Sequence, residues 1–469
     1  MPGDYSDAVA AAGGEEFTPH ALKVTAAVAV LMGTWWVTEA IPLPATALVP
    51  LVAFPLSGTS AFGPTAAPYA NGTIFLFMGG FFLALAIQRW NLHRRIALGI
   101  VLLVGTKPKQ LILGVMIATG FITMWVSNTA TAVMMIPIGL SVLSLVYEGA
   151  STSTILKSNF GKAMVLGVAY AASITSVATL IGTPPNALLR AYILENLPDR
   201  ELSFGSWMLF ATPLAWIFLF IGWWLMVNVL WKPEITEIPG GKPLIQKEFR
   251  GLGPMSRGEK MVAVVFAAGA LSWIFLPSLF DVFSDELVAM IIALVLFITP
   301  VYAREGVNLL DWSTAKNIPW DVLILFGGGL SLSRMFTVTG FSQWIGEQTQ
   351  GVGVLHPILI ILIVTVIVVI LTEFTSNTAT AAAFLPIMGG VAGGIGVDPL
   401  MLLIPVALAS TYGFMMPAGT PPNAIAYSTG YLKITDMIKT GIWLNIIGAF
   451  LITLFVYFFA PVVFGFSIG

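Results

Sequence analysis

Cysteine is absent from this chain of 469 residues, histidine occurs three times, and Asp, Glu, Lys and Arg together make up only 9% of it. Without cysteine there is no disulfide, no thiolate metal site and no cysteine nucleophile. His20, His93 and His356 lie far apart, which leaves no histidine-based metal cluster. A net charge of -2 speaks against nucleic acid as a partner, because that ligand attracts strongly basic surfaces. The scarcity of charge excludes more. Soluble chains carry about 25% charged residues, so there are too few here to cover a water-facing surface. The first residues, 1–17, also lack the basic start of a signal peptide; Asp4, Asp7, Glu15 and Glu16 make them an acidic extramembrane tail.

Apolar residues fill the space that charge leaves, at 57% of the chain. A membrane barrel would show strands of about ten residues with alternating polarity, whereas this chain has unbroken blocks such as Pro357 to Leu371. The fold class is therefore an all-α polytopic membrane protein, embedded in the lipid bilayer of the cell membrane. A hydrocarbon core takes about 20 helical residues to cross. On that scale there are fourteen apolar segments: 21–38, 41–58, 72–90, 110–126, 129–147, 161–195, 207–231, 259–276, 284–302, 318–337, 355–374, 378–396, 400–430 and 441–465. Trp35, Trp36, Trp207, Trp231, Trp312, Trp320 and Trp443 fall near segment ends, where aromatic rings favour the membrane interface. Alternating the segments from an outside N-terminus puts 17 of the 21 Lys and Arg on one side. The positive-inside rule makes that side cytoplasmic and both termini external.

The chain repeats itself. Ser127-Asn128-Thr129-Ala130-Thr131 recurs as Ser376-Asn377-Thr378-Ala379-Thr380, at an offset of 249 residues. Gly182-Thr183-Pro184-Pro185-Asn186 recurs as Gly419-Thr420-Pro421-Pro422-Asn423, at an offset of 237, and Leu76 to Gly80 recurs as Leu325 to Gly329, again at 249. The polar insert Gly149 to Phe160 absorbs the difference. Two halves follow, 18–231 and 259–469, joined by a Pro-, Gly- and Lys-rich cytoplasmic linker at 232–258. With seven segments in each half, the second copy enters the membrane with opposite polarity, which is the inverted-topology repeat of many secondary transporters.

The motifs read as interruptions of helix. Paired prolines remove two backbone donors within each of the runs 161–195 and 400–430, so these are expected to be broken helices. Unpaired backbone at membrane depth is tolerated only against protein or a water-filled cavity, and its carbonyls are natural ligands for a hard cation. Each Ser-Asn-Thr stretch sits, with no charge, between two apolar arms, which predicts re-entrant hairpins at 110–147 and 355–396 entering from opposite sides. Interhelical hydrogen bonding by small polar residues would explain one such stretch, but two copies, each paired with a break, fit it poorly. Four half-helix N-termini, each behaving like roughly +0.5 charge, with Asn and Thr donors, suit carboxylates. A dianion held without arginine needs further positive charge, and co-bound cations supply it.

Together with Trp36-Val37-Thr38-Glu39-Ala40-Ile41-Pro42, these motifs resemble the divalent anion/sodium symporter family of dicarboxylate and citrate carriers, over nearly the whole chain from about Val24 to Gly469. The resemblance implies a homodimer in which a transport domain moves against a scaffold domain, elevator-fashion, carrying C4-dicarboxylates with sodium as the coupling ion and no other cofactor. It further implies that Asn128, Thr129, Asn377 and Thr378 bind the substrate carboxylates, with Thr183, Pro184, Thr420 and Pro421 lining the pocket. One sodium is implied among Thr123, Ser127, Asn128 and Gly182, and a second among Thr372, Thr375, Asn377 and Gly419. Citrate carriers of the family tend to have smaller residues where Pro184 and Pro421 stand, which favours succinate, fumarate or malate. Relatives usually begin with one more transmembrane helix, whereas nothing before Glu16 here is long and apolar enough to span.

Other readings remain open at this point. A sodium-independent exchanger, or a carrier of citrate or sulfate, shares the architecture. A channel would share the membrane spans. An intramembrane enzyme would need a base beside Ser127 or Ser376, and no His, Lys or Asp accompanies either one. Glu373, three residues before Ser376, either orients the hairpin tip and adds negative field near the second cation or merely bonds nearby backbone. Glu39 reads as an interfacial turn. Arg94, Arg95, Lys107 and Lys109 flank a short amphipathic helix, with snorkelling to lipid phosphates sufficient to explain them.

Overall fold

A computed structural model describes residues 18–105, 107–147, 158–197, 199–237 and 241–468. The tail 1–17 and most of the insert at 149–160 lie outside the described residues. The first half runs α1 (Pro19–Thr38), α2 (Val49–Leu56), α3 (Gly72–Arg89), α4 (Leu92–Val104), α5 (Pro108–Thr123), α6 (Asn128–Val146), α7 (Asn159–Ser176), α8 (Pro184–Asn196) and α9 (Phe204–Leu225). The linker holds α10 (Gly241–Gly251). The second half runs α11 (Arg257–Leu279), α12 (Asp285–Ile298), α13 (Trp320–Val338), α14 (Phe341–Thr349), α15 (Pro357–Thr372), α16 (Asn377–Ile395), α17 (Leu400–Ala409), α18 (Pro421–Ser428) and α19 (Ile434–Phe458).

The helices that flank the two Ser-Asn-Thr stretches match in length. Helices α5 and α15 both have 16 residues, and α6 and α16 both have 19, with their ends at the offset of the Ser-Asn-Thr repeat. The third sequence repeat is a packing device: a methyl on Gly79 of α3 would sit 2.6 Å from Ala289 O of α12, and one on Gly328 of α13 would sit 2.3 Å from Ala47 O. Small residues there let helix backbones touch. The halves interleave, since α6 packs on α18 and α16 packs on α8. At the centre, α7 and α17 are buried almost end to end. On the periphery, α11 turns Val264, Leu271, Phe275 and Leu279 outward, as a lipid-facing helix does.

Among the described residues seven helical stretches are long and apolar enough to cross a membrane, fewer than the fourteen apolar segments. Shorter apolar helices, among them Pro108–Thr123, Asn128–Ser144, Pro357–Thr372 and Leu400–Ala409, account for most of the difference. Two segments also depart from the sequence reading. The stretch 41–58 is divided into Leu43–Thr46 and α2, with Pro50 and Pro55 limiting its regular hydrogen bonding. The stretch 284–302 ends at Ile298 and continues as a short antiparallel ribbon, β1 (Pro300–Tyr302) with β2 (Val307–Asn308), a small exception to the all-α class.

Ion pairs separate cleanly by side. Arg89 pairs with Asp311 at 2.5 Å, Arg95 with Glu259 at 2.9 Å and Lys162 with Asp436 at 3.0 Å, all residues that the alternation puts on the cytoplasmic face. Hydrogen bonds from Ser313 and Thr314, with Arg89 beside them, hold the Asp311 carboxyl well below the usual carboxylate range. Arg95 is thus tied to α11 rather than free to snorkel. On the opposite face Arg200 pairs with Asp398, and the buried Arg190 pairs with Asp285 and Glu286 of α12 while donating to Thr73 Oγ1 and Leu202 O. Replacing Arg190 by Met leaves two carboxylates without a cation in a dry site, an expected loss of about 3–5 kcal/mol. Thermal melting of the detergent-solubilised variant measures this, and an unchanged midpoint would contradict it.

Three of the segment-end tryptophans are interior rather than interfacial. Trp36, Trp207 and Trp231 are buried, and their indole N–H groups donate to Leu43 O, Val177 O and Thr440 Oγ1. Trp312, Trp320 and Trp443 are exposed, as aromatic belts are.

Candidate functional site

Each Ser-Asn-Thr stretch turns one apolar helix into the next through four residues. In the first hairpin α5 stops at Thr123, and Ser127 caps α6, its Oγ accepting from Ala130 N at 3.3 Å. Asn128 Oδ1 accepts from Thr129 N at 2.8 Å. The tip is buried, with Met124, Trp125 and Val126 packed inside. In the second hairpin α15 stops at Thr372 and α16 begins at Asn377, while Phe374 at the tip stands in the open.

Each broken helix is interrupted as the proline pairs require. Helix α7 ends at Ser176 and α8 starts at Pro184; α17 ends at Ala409 and α18 starts at Pro421. Proline is well placed there, because the first turn of a helix has no use for its missing N–H. The unwound stretches are pinned by side chains that the sequence reading left without a role. Asn186 and Asn423 donate to carbonyls within them, Trp207 donates to Val177 O at 2.9 Å, and Thr212 donates to Ala178 O at 3.1 Å.

The first residues of α6, α8, α16 and α18 all line one cavity of about 820 Å³. It brings together every residue expected to bind substrate: Asn128, Thr129, Thr183, Pro184, Asn377, Thr378, Thr420 and Pro421. Among the described residues no Lys, Arg or His lines it. Three of its exposed lining residues, Glu39, Asn317 and Asp321, belong to the side on which the alternation collects the basic residues. Glu39 therefore lies against the cavity instead of merely closing α1, where it holds a left-handed conformation at φ 49°.

Of the residues expected around sodium, Ser127, Asn128, Gly182, Thr375, Asn377 and Gly419 line the cavity, and Thr123 and Thr372 lie buried behind it. The Thr123 hydroxyl donates to Ala172 O at 3.1 Å, and the Thr375 hydroxyl is turned to Leu371 O and Thr380 Oγ1, so neither hydroxyl is free. At the first position backbone oxygens are free. A methyl on Gly182 would lie 2.2 Å from Ser176 O and 3.1 Å from Thr123 O, so two carbonyls converge on that glycine. Around Asn377 the side-chain amide faces Ser410 O at 2.9 Å, Thr372 Oγ1 at 3.0 Å and Gly419 O at 2.9 Å. With its nitrogen toward them it donates three hydrogen bonds; turned over, its oxygen joins them as a hard donor set of the kind small cations take.

Glu373 is fully buried beside this cluster. Its carboxylate accepts from Phe414 N at 2.7 Å, Met415 N at 2.9 Å, Met416 N at 2.9 Å and Asn445 Nδ2 at 2.6 Å. It caps the unwound stretch of the second break, and the Gly419 Cβ position lies 2.9 Å from its Oε2. Glu373 thus bonds nearby backbone and also lies against Gly419.

The profile described as the sodium:sulfate symporter transmembrane region matches residues 15–466. The sodium-dependent dicarboxylate transporter SdcS of Staphylococcus aureus strain MRSA252 is 42% identical over 452 residues, covering 94% of this chain and 87% of that protein. SdcS of strain NCTC 8325 matches to the same extent. Among solved structures, the YdaH transporter of Alcanivorax borkumensis aligns with a TM-score of 0.59 at 13% identity, over 96% of this chain and all of that one. MtrF of Neisseria gonorrhoeae, from a class of antimetabolite efflux pumps, aligns with a TM-score of 0.53 at 13% identity, over 95% and 97%. At that identity the two structures speak for the fold alone. The relatives are transporters and not enzymes, and this chain is a multi-pass membrane protein that belongs to the sodium:sulfate symporter family, the divalent anion/sodium symporters.

Proposed function

We propose that this protein is a secondary active carrier of C4-dicarboxylates, with succinate, fumarate and malate as substrates, coupled to sodium. The observation that carries the reading is the convergence of four helix N-termini on one cavity without a cationic side chain. At roughly +0.5 charge each, they offer about the charge of one dianion. Hydroxyls and amides of Asn128, Thr129, Asn377 and Thr378 orient the two carboxylates, and Thr183, Pro184, Thr420 and Pro421 form the walls. Sodium ions beside Gly182 and Gly419 add further positive charge, each held largely by carbonyl oxygen. The 42% identical SdcS is a sodium-dependent dicarboxylate transporter, which supports the same assignment.

Alternating access follows from the inverted repeat. Helices α5–α9 and α15–α19 form the moving body, and α1–α3 with α11–α13 form the scaffold of a homodimer. The cavity opens past Glu39, Asn317 and Asp321 and corresponds to an inward-open state. Contacts from Arg190 of α8 to α3 and α12 close the opposite face.

Purified protein in liposomes tests the reading. Labelled succinate is expected to accumulate only under an inward sodium gradient, with fumarate and malate competing and citrate, α-ketoglutarate and sulfate failing to compete. Uptake that ignores sodium and needs internal dicarboxylate would identify an exchanger instead. Stronger competition by sulfate or citrate would reassign the substrate.

A further inference from the structure

Asn186 and Asn423 close the two Gly-Thr-Pro-Pro-Asn stretches, and both side chains are completely buried. Asn186 Nδ2 donates to Val177 O at 3.0 Å and to Thr179 O at 2.8 Å. Asn423 Nδ2 donates to Gly413 O at 2.9 Å and to Met416 O at 3.0 Å. In both halves, then, one amide nitrogen reaches back from the start of a half-helix and ties together two carbonyls of the unwound stretch before it. In both halves the amide oxygen is left, buried, without a hydrogen-bond partner. Burying such an oxygen is unfavourable, yet the arrangement occurs at equivalent positions.

Accounting for the carbonyls shows what the amides accomplish. In the first break Val177 O is taken by Asn186 and Trp207, Ala178 O by Thr212, and Thr179 O by Asn186. Among those left over, with no donor among the described residues, are Ser176 O and Thr123 O, the pair that converges on Gly182. In the second break Asn423 takes Gly413 O and Met416 O, and the Thr372 hydroxyl takes Ser410 O. Among those left over is Thr372 O, which converges on Gly413 together with Gly419 O, whose one donor among the described residues is the Asn377 amide when its nitrogen faces that oxygen.

We propose that Asn186 and Asn423 are positioning residues for cation binding: each amide fixes its unwound stretch so that the remaining carbonyls, Ser176 O and Thr123 O beside Gly182 and Thr372 O and Gly419 O beside Gly413, stay aimed at a sodium ion. This rests on the sodium-coupled reading above and adds two residues that belong to neither ligand set. A carboxylate of the same shape cannot substitute, since it would set acceptors against carbonyls.

The test uses full-length Asn186→Ala, Asn423→Ala and Asn186→Ser in liposomes and in detergent. Uptake is measured against sodium at saturating succinate and against succinate at saturating sodium, and melting is compared in sodium and choline chloride. In each Ala variant half-saturating sodium is expected to rise about tenfold with a lower Hill coefficient, while the succinate KM moves by roughly threefold at most. The Ser variant, which keeps one donor, is expected to fall between wild type and Ala. Sodium is expected to stabilise wild type against melting and to stabilise the Ala variants less. Unchanged sodium dependence and unchanged stabilisation in both Ala variants would overturn the positioning role while leaving the proposed function standing. Loss of the folded, monodisperse protein in all three variants would assign the amides to fold stability and also overturn it. A wild type that neither needs sodium nor is stabilised by it would instead overturn the proposed function.

Discussion

Replacing Gly182 by alanine is expected to abolish sodium-coupled uptake. The added methyl would stand 2.2 Å from the backbone oxygen of Ser176 and 3.1 Å from that of Thr123. Neither atom is the far end of a flexible side chain, so the backbone itself must move. The unwound stretch has little freedom to do so. Thr179 Oγ1 accepts from Gly182 N at 3.1 Å and donates to Met124 O, while Asn186, Trp207 and Thr212 hold the carbonyls of residues 177–179. A displacement of about 1 Å at a binding cluster costs on the order of 100-fold in rate. At Gly419 the same substitution meets Glu373 Oε2 at 2.9 Å and Gly413 O at 3.1 Å, a milder clash. Gly419→Ala is therefore expected to retain measurable transport when Gly182→Ala has none. Initial rates in liposomes, with chromatography to confirm folding, decide the matter; equal rates in the two variants would show that the carbonyl cluster at Gly182 is not part of the site.

The gradation between the two glycines was not legible in the sequence, although the glycines themselves were. Duplication made Ser-Asn-Thr and Gly-Thr-Pro-Pro-Asn stand out, and because helix boundaries follow local chemistry, proline at N1 and serine at the N-cap, the positions of hairpins and breaks could be read directly. That four N-termini meet in one cavity followed from the repeat. Contacts between distant elements were a different matter. Asn186 was visible as the end of a motif, but its partners depend on how the chain unwinds at residues 177–183. Trp36, Trp207 and Trp231 stood at segment ends like interfacial residues, and only packing shows their N–H groups turned inward to oxygen. Arg190 gave no sign of its acidic partners, which lie about a hundred residues further along the chain. Hydropathy also overran the end of α12, because the ribbon that follows Ile298 is equally apolar at Pro300 to Tyr302.

Glu373→Gln is expected to lower both stability and sodium affinity, because the two halves secure their unwound stretches by different means. Position 124, the counterpart of Glu373 at the hairpin offset, is methionine. The first break is held by neutral groups, Thr179, Thr212, Trp207 and Asn186. The second relies on a buried carboxylate that satisfies three backbone N–H groups and the Asn445 amide together. Glutamine keeps the shape but turns one acceptor into a donor, which then faces N–H groups it cannot satisfy. Losing charge-assisted bonds and leaving at least one buried N–H unpaired is an expected loss of about 3–5 kcal/mol. Asn445→Ala, which removes one donor and spares the backbone contacts, is expected to cost about 1–2 kcal/mol. Under the proposed function the carboxylate would also give the second cation position a nearby negative charge that the first does not have. Its loss should therefore raise half-saturating sodium and lower the Hill coefficient, whereas Glu373→Asp, which keeps the charge on a shorter side chain, should lose stability but keep more of the sodium affinity. Sodium titrations of uptake and of thermal stability in the three variants separate charge from geometry. If Glu373→Gln melts and binds sodium like the wild type, the carboxylate neither holds the second break nor biases its cation.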